Sequence, residues 1–195
     1  MNNKTIKKIT GVACLIAIEI ILQIIGNYVS IFNGVSLNLS LVAVALASIV
    51  YGPFSGALLG LINGIIVLLS PSTQALFLDV APLGTVVTCL CKCTLAGLIS
   101  GFVYKAIAKK NATVGSIVAS LLVPIINTGI FALCAMTLIS KAIDQMNSNS
   151  VNAMRFLFLT VIGFNFIFEF TATTVLAPSL DKIRKIMTRS DKHAL

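Results

Sequence analysis

Charge is what this sequence has least of, and its placement matters more than its scarcity. No aspartate, glutamate, lysine or arginine occurs from residue 20 to residue 78, and none from 111 to 140. Charged residues make up 10% of the chain, against about 25% in ordinary soluble domains. A helix needs about 20 apolar residues to cross the hydrocarbon core, so the first run is long enough for more than one crossing. Tryptophan is absent, and the only histidine, His193, lies in the C-terminal tail.

Other absences remove whole classes of chemistry. There is no G-x-x-x-x-G-K-[ST] phosphate loop, which excludes ATP hydrolysis by that route. Neither H-E-x-x-H nor G-x-S-x-G occurs, which removes the zinc protease and serine hydrolase readings. Cys14, Cys89, Cys91, Cys93 and Cys134 all lie in apolar segments. Their spacing is not that of zinc ligands, so they read as small apolar filler and no metal site is expected.

What is present is continuous apolar sequence, with a mean hydropathy of +1.02. In lipid every backbone N–H and C=O must be satisfied internally, so only helices and closed barrels span. Barrel strands alternate apolar and polar over about 10 residues. Residues 41–50 and 116–126 do not alternate. The expected fold is therefore an all-α integral membrane bundle in a single domain.

Six spans are expected, at residues 9–29, 39–51, 54–69, 83–104, 114–139 and 156–176. Gly52-Pro53 separates the second from the third, because proline removes a donor and restricts the residue before it. Pro178 is expected to stop the sixth, leaving a basic tail. The N-terminal lysines Lys4, Lys7 and Lys8 followed by apolar sequence resemble a signal peptide, but no A-x-A-like site follows, so the segment reads as a retained helix. With six spans, these lysines, Lys105, Lys109 and Lys110, and the basic tail share one side, while Lys141 and Arg155 lie on the other. Merging the second and third spans would scatter them. The positive-inside rule thus favours six spans with both ends cytoplasmic, and membrane topology explains the net charge of +8 without nucleic acid.

The polar residues inside spans are the candidates for function. Glu19, Lys92 and Glu169 each cost about 2.5–3.5 kcal/mol on insertion scales, so each faces a partner or a cavity. Lys92 lies about 14 Å below the outer end of the fourth span at about 1.5 Å per residue. It reads either as half of a structural pair with a carboxylate or as the receptor for an anionic ligand. Asn63, Asn127 and Asn165 add amides. Pro124 and Gly129 flank Asn127-Thr128 and are expected to make the fifth span locally irregular, as at transporter ligand sites. Interhelical hydrogen bonding is the competing reading. Phe77 and Asp79, in the outer loop at 72–81, are placed to cover such a site. Small residues recur at helix-packing spacing: Ala13 and Ala17, then Gly56, Gly60 and Gly64, then Gly97 and Gly101. They serve packing within the chain or, for Ala13 and Ala17, docking of another membrane protein.

Taken together, Ala13-xxx-Ala17, Tyr51-Gly52-Pro53 followed by Gly56 and Gly60, and the outer loop after the third span give a pattern that resembles the substrate-binding (S) component of energy-coupling factor (ECF) vitamin importers. The resemblance covers nearly the whole chain. It implies a capture subunit in the bacterial cytoplasmic membrane that binds a water-soluble vitamin from outside and topples to release it. It implies as partners a membrane scaffold (T) subunit, met by Ala13 and Ala17, and two ATPases that use ATP and magnesium, with no cofactor in this chain. Pro82-Leu83-Gly84, Lys92 and Asn127-Thr128-Gly129-Ile130-Phe131 look like the pantothenate-type branch. Lys92 would then meet the carboxylate and Asn127 the amide and hydroxyls. The substrate-binding set is Lys92, Asn127, Thr128, Asn165, Asn63, Phe77 and Asp79, with no catalytic residue. Riboflavin, folate, thiamine or another small molecule stay open as the ligand, and two other roles stay open for the chain: a self-sufficient proton-coupled carrier using Glu19 or Glu169, and a ligand-free membrane scaffold.

Overall fold

The computed structural model describes residues 3–28, 38–138 and 162–192, and among these there are helices and no strands. In chain order they are α1 (Asn3–Tyr28), α2 (Leu41–Val50), α3 (Pro53–Leu68), the short α4 (Pro71–Thr73) running into a π-turn at Gln74–Leu78, α5 (Pro82–Ala108), α6 (Ala112–Thr137) and α7 (Asn165–Lys192). Among the described residues, three segments are long and apolar enough to cross a membrane: Thr5–Gly26 within α1, Pro82–Ala108 and Ala112–Thr137. The loop at 30–37, Lys141, Arg155 and the start of the expected sixth span lie outside the described residues.

Local chemistry sets the helix boundaries. Gly52 takes φ 95°, a backbone region open to glycine at little cost, and Pro53 follows at the first turn of α3. Ser70 accepts from the Thr73 amide to start α4. The Asn111 side chain accepts from Thr113 and Val114 to start α6, at 3.0 and 3.1 Å.

α2 is too short to cross a core of about 30 Å by itself. Its place explains its length and composition. It sits in the middle of the bundle, touching α1, α3, α5, α6 and α7, and Leu41, Ala43, Val44, Ala45 and Ala47 are all buried. A helix apolar all round is one buried all round.

α3 and α5 meet along a glycine seam. A methyl group at Gly64 would lie 2.6 Å from the Cys89 carbonyl oxygen, one at Gly60 would overlap the Cys93 carbonyl, and Gly56 and Gly97 face each other's backbones. Ser48 closes the seam by donating to the Gly97 carbonyl at 2.9 Å. The small-residue spacing in these two helices therefore serves packing within the chain. Ala13 and Ala17 on α1, by contrast, are exposed.

Two expectations about proline are corrected. α6 runs unbroken through Pro124, and Gly129 opens onto empty space at the exposed surface, away from the buried Asn127. α7 likewise passes through Pro178 to Lys192. A proline inside a helix costs about 3 kcal/mol, but the turn that follows is held against the bundle. Ala177, Leu180 and Asp181 are buried. Asp181 accepts from Arg184 at 2.8 Å and pairs with Lys185 at 2.7 Å.

This turn also brings the basic segments together. Asp181 also lies close to Ser116, near the start of α6. The Tyr51 hydroxyl lies over Gly11 and 4.0 Å from the Met187 sulfur, and Lys105 lies beside Gly52. One end of the bundle thus gathers the start of α1, the α5–α6 turn and the last turns of α7.

Candidate functional site

The polar residues of the spans fall into two clusters, and the first joins α5, α6 and α7. Asn127 Nδ2 donates to Glu169 Oε2 at 3.5 Å. Its Oδ1 accepts from Cys93 Sγ at 3.4 Å. Lys92 neighbours Cys93 on α5 and sets its Nζ 4.8 Å from the centre of the Phe131 ring, a cation–π contact. Lys92 also interacts electrostatically with Glu169, but no ion pair joins the two among the described residues.

Phe131 follows Asn127 by one turn of α6, so both face the same side. Above it stands Phe77, its ring edge-on to Phe131 at 6.0 Å and 81°. Phe77 comes from the π-turn after α4, and Thr85 pins that turn by donating to the Phe77 carbonyl at 3.1 Å and the Ala81 carbonyl at 2.8 Å. The turn after α4 thus closes the cluster with an aromatic pair over a cation. Asn165 lies one turn before Glu169 on α7, and its buried Oδ1 has no hydrogen-bond partner.

Asn63 belongs to the second cluster, between α1, α2 and α3. It donates to Asn38 Oδ1 at 3.4 Å, and Ser40 reaches Asn38 Oδ1 at 2.6 Å and Gln23 Oε1 at 3.0 Å. Glu19 lies one turn before Gln23, fully buried, with both carboxylate oxygens unpartnered. It exerts a weak electrostatic influence on Cys93 of the first cluster.

The structure therefore brings together Lys92, Asn127 and Phe77 from the expected substrate-binding set, with Asn165 one turn from Glu169. It puts Asn63 in the neighbouring network. Thr128 is half-buried and Asp79 exposed, and neither is hydrogen-bonded to the cluster among the described residues. Glu169, Phe131 and Cys93 stand where the substrate-binding set did not place them. Cys93 gave no signal, because a buried cysteine and a cysteine donating to an amide look alike in sequence. Gln23 did give one: it is an intramembrane amide like Asn63.

Residues 7–180 match the family model described as "ECF transporter, substrate-specific component". No curated protein and no solved structure matches.

Proposed function

We infer function from one premise: the chain belongs to the family of ECF transporter substrate-specific components. It is accordingly a multi-pass membrane protein and the substrate-capture subunit of a transporter, not an enzyme. The self-sufficient carrier and the ligand-free scaffold are not what this family does.

The finer reading is that the protein captures a water-soluble vitamin at the outer face of a bacterial cytoplasmic membrane, pantothenate being the first candidate. Lys92 would receive the carboxylate and Asn127 the polar middle of the molecule, with Phe77 and Phe131 closing over them. The observation that carries this is Lys92 itself: a cation within the bundle, resting on an aromatic face with no direct ion pair among the described residues, leaves its charge available to an anion. Six spans with both ends cytoplasmic are supported by the basic segments gathered at one end of the bundle. Import would draw on ATP and magnesium in two partner ATPases, through a scaffold subunit docked on the exposed Ala13 and Ala17.

A thermal-shift screen of the purified protein against water-soluble vitamins tests the ligand reading. Pantothenate at 100 times its dissociation constant is expected to add about 2.7 kcal/mol of apparent stability, and Lys92→Ala or Asn127→Ala to weaken the response. A response to a different vitamin alone would replace pantothenate and keep the capture role.

A further inference from the structure

The buried side-chain atoms that lack a partner are nearly all of one kind. Among the described residues they are both oxygens of Glu19, Oδ1 of Asn63, Oδ1 of Asn165, Oε1 of Glu169 and the hydroxyl of Thr94. Except for Thr94, these are carboxylate or amide oxygens, which accept hydrogen bonds. Two of them, from Asn165 and Glu169, lie one turn apart on the same face of α7, and Glu169 meets Asn127 and the charge of Lys92. The Glu169 side chain is 3% exposed.

Asn127 fixes how that carboxylate is presented. Its Oδ1 is occupied by Cys93, so its Nδ2 is turned toward Glu169 and meets Oε2. Oε1 is left over. Lys92 offsets the Glu169 charge from nearby but places its ammonium on the Phe131 ring. The site therefore has a cationic pole at Lys92 and an accepting pole at Glu169 and Asn165. A carboxylate ligand that drew Lys92 to itself would remove the positive charge that offsets Glu169. A ligand that brings its own O–H or N–H donor to Oε1 satisfies the carboxylate; one that does not leaves it unsatisfied beside a second anion, or forces it to take up a proton.

We propose that Glu169, with Asn165 one turn away, is the specificity-determining pole of the capture site, and that the captured molecule is an anion carrying hydroxyl or amide N–H donors. This rests on the capture reading above and adds to it the chemistry the ligand must have. A donor-free anion such as a short fatty acid meets the Lys92 pole and is rejected at the Glu169 pole. A neutral polyol amide meets Glu169 and leaves Lys92 unmet.

The test is calorimetric titration of the full-length protein with three probes. Pantothenate has both features, pantothenol keeps the donors without the carboxylate, and hexanoate keeps the carboxylate without the donors. Pantothenate is expected to bind tightest. Glu169→Gln is expected to weaken pantothenate by about tenfold or more, the size of a lost hydrogen bond to a charged group. It should leave the ligand-free Tm nearly unchanged and should strengthen hexanoate binding, because the group that rejects a donor-free anion is gone. Lys92→Met should erase the preference for pantothenate over pantothenol. If Glu169→Gln leaves pantothenate affinity intact, or weakens all three probes alike, Glu169 is a structural prop satisfied by water or a proton, and the proposal is overturned. If pantothenate fails and another vitamin binds, Glu169→Gln is measured with that vitamin, and unchanged affinity again overturns it. If no water-soluble vitamin binds at all, the capture reading falls, and this proposal with it.

Discussion

Gly60 of α3 lies directly against the backbone carbonyl of Cys93 on α5, with no room for a side chain between them. The same turn of α5 carries Lys92 toward Phe131 and the Cys93 thiol toward Asn127. The glycine seam therefore sets the position of the site as well as holding two helices together. Gly60→Val is expected to push α3 and α5 apart at this turn, at about 1–3 kcal/mol for overpacking a close contact. Thermal unfolding in detergent measures that loss, and ligand affinity should fall with it. Gly129→Ala, where a methyl group meets open space, is the control: it should leave ligand affinity unchanged and not lower the Tm, since alanine is favoured over glycine inside a helix. If Gly60→Val keeps the wild-type Tm, the close approach of the two helices is wrong.

Glu19 leads to an expectation of opposite sign. It is fully buried and both its oxygens lack partners. A buried polar group left unsatisfied costs about 1–3 kcal/mol, and more when charged. Glu19→Leu removes the polar atoms at similar volume, so it is expected to raise the Tm of the ligand-free protein. Glu19→Gln keeps unsatisfied polar atoms and should raise it less. A clear loss of stability in Glu19→Leu would show that the carboxylate is satisfied in the folded protein, by water or by an ion.

Much of this was legible in the sequence, and the failures share a cause. The break at Gly52-Pro53 is backbone chemistry, and backbone chemistry is local, so it could be read directly. The glycines of α3 announced a close contact, but only the fold shows α5 as the partner. Lys92 and Asn127 stood out because polar residues inside apolar spans need a reason, and they do lie in one cluster. Pro178 misled because propensity is a weak local term, and the burial of Leu180 and Asp181 one turn later outweighs it. Pro124 misled in the same way: the helix on both sides is packed, and losing one hydrogen bond does not break it. The Gln23–Ser40–Asn38–Asn63 network went unread because Asn38 and Ser40, which join its two intramembrane amides, sit at the edge of a span, where polar residues look unremarkable. Only the folded chain shows that Ser40 links an amide from α1 to one beside α2.

Asp181 makes a pH-dependent contribution at the end of the bundle where the basic segments meet. Burial pushes its carboxyl up, but hydrogen bonds from Lys185 and Arg184 outweigh this and hold it below the ordinary aspartate value of 3.8. A lowered folded-state value means the stabilisation is fully present above the ordinary aspartate range. It is lost as pH falls through that range toward the folded value. Because Lys185 is largely exposed, solvent screening limits the gain to about 1 kcal/mol. Asp181→Asn is expected to lower the Tm at pH 7 and to flatten the Tm profile between pH 5 and pH 3. An unchanged profile would mean that the contacts with Arg184 and Lys185 add nothing to stability.

The proposed docking of a scaffold subunit on the exposed face of α1 is tested apart from capture. Ala13 and Ala17 lie one turn apart on the same face, and both are open, whereas Val12, Leu15 and Glu19 turn inward. A smooth stripe of small side chains allows close approach by another helix, and bulk there blocks it. Ala13→Leu with Ala17→Leu adds volume only on the outer side of α1. Vitamin binding by the isolated protein should therefore stay within about twofold, since neither residue reaches the Lys92 cluster. Co-purification with the scaffold subunit and its two ATPases should be lost, and ATP-dependent uptake in reconstituted vesicles with it. A complex that survives both substitutions at wild-type yield would place the scaffold on another face. The neighbouring exposed stripe of α3, with Leu58, Leu61 and Ile65, would then be the next to alter, because a face that meets only lipid tolerates added apolar bulk and a face that meets a protein does not.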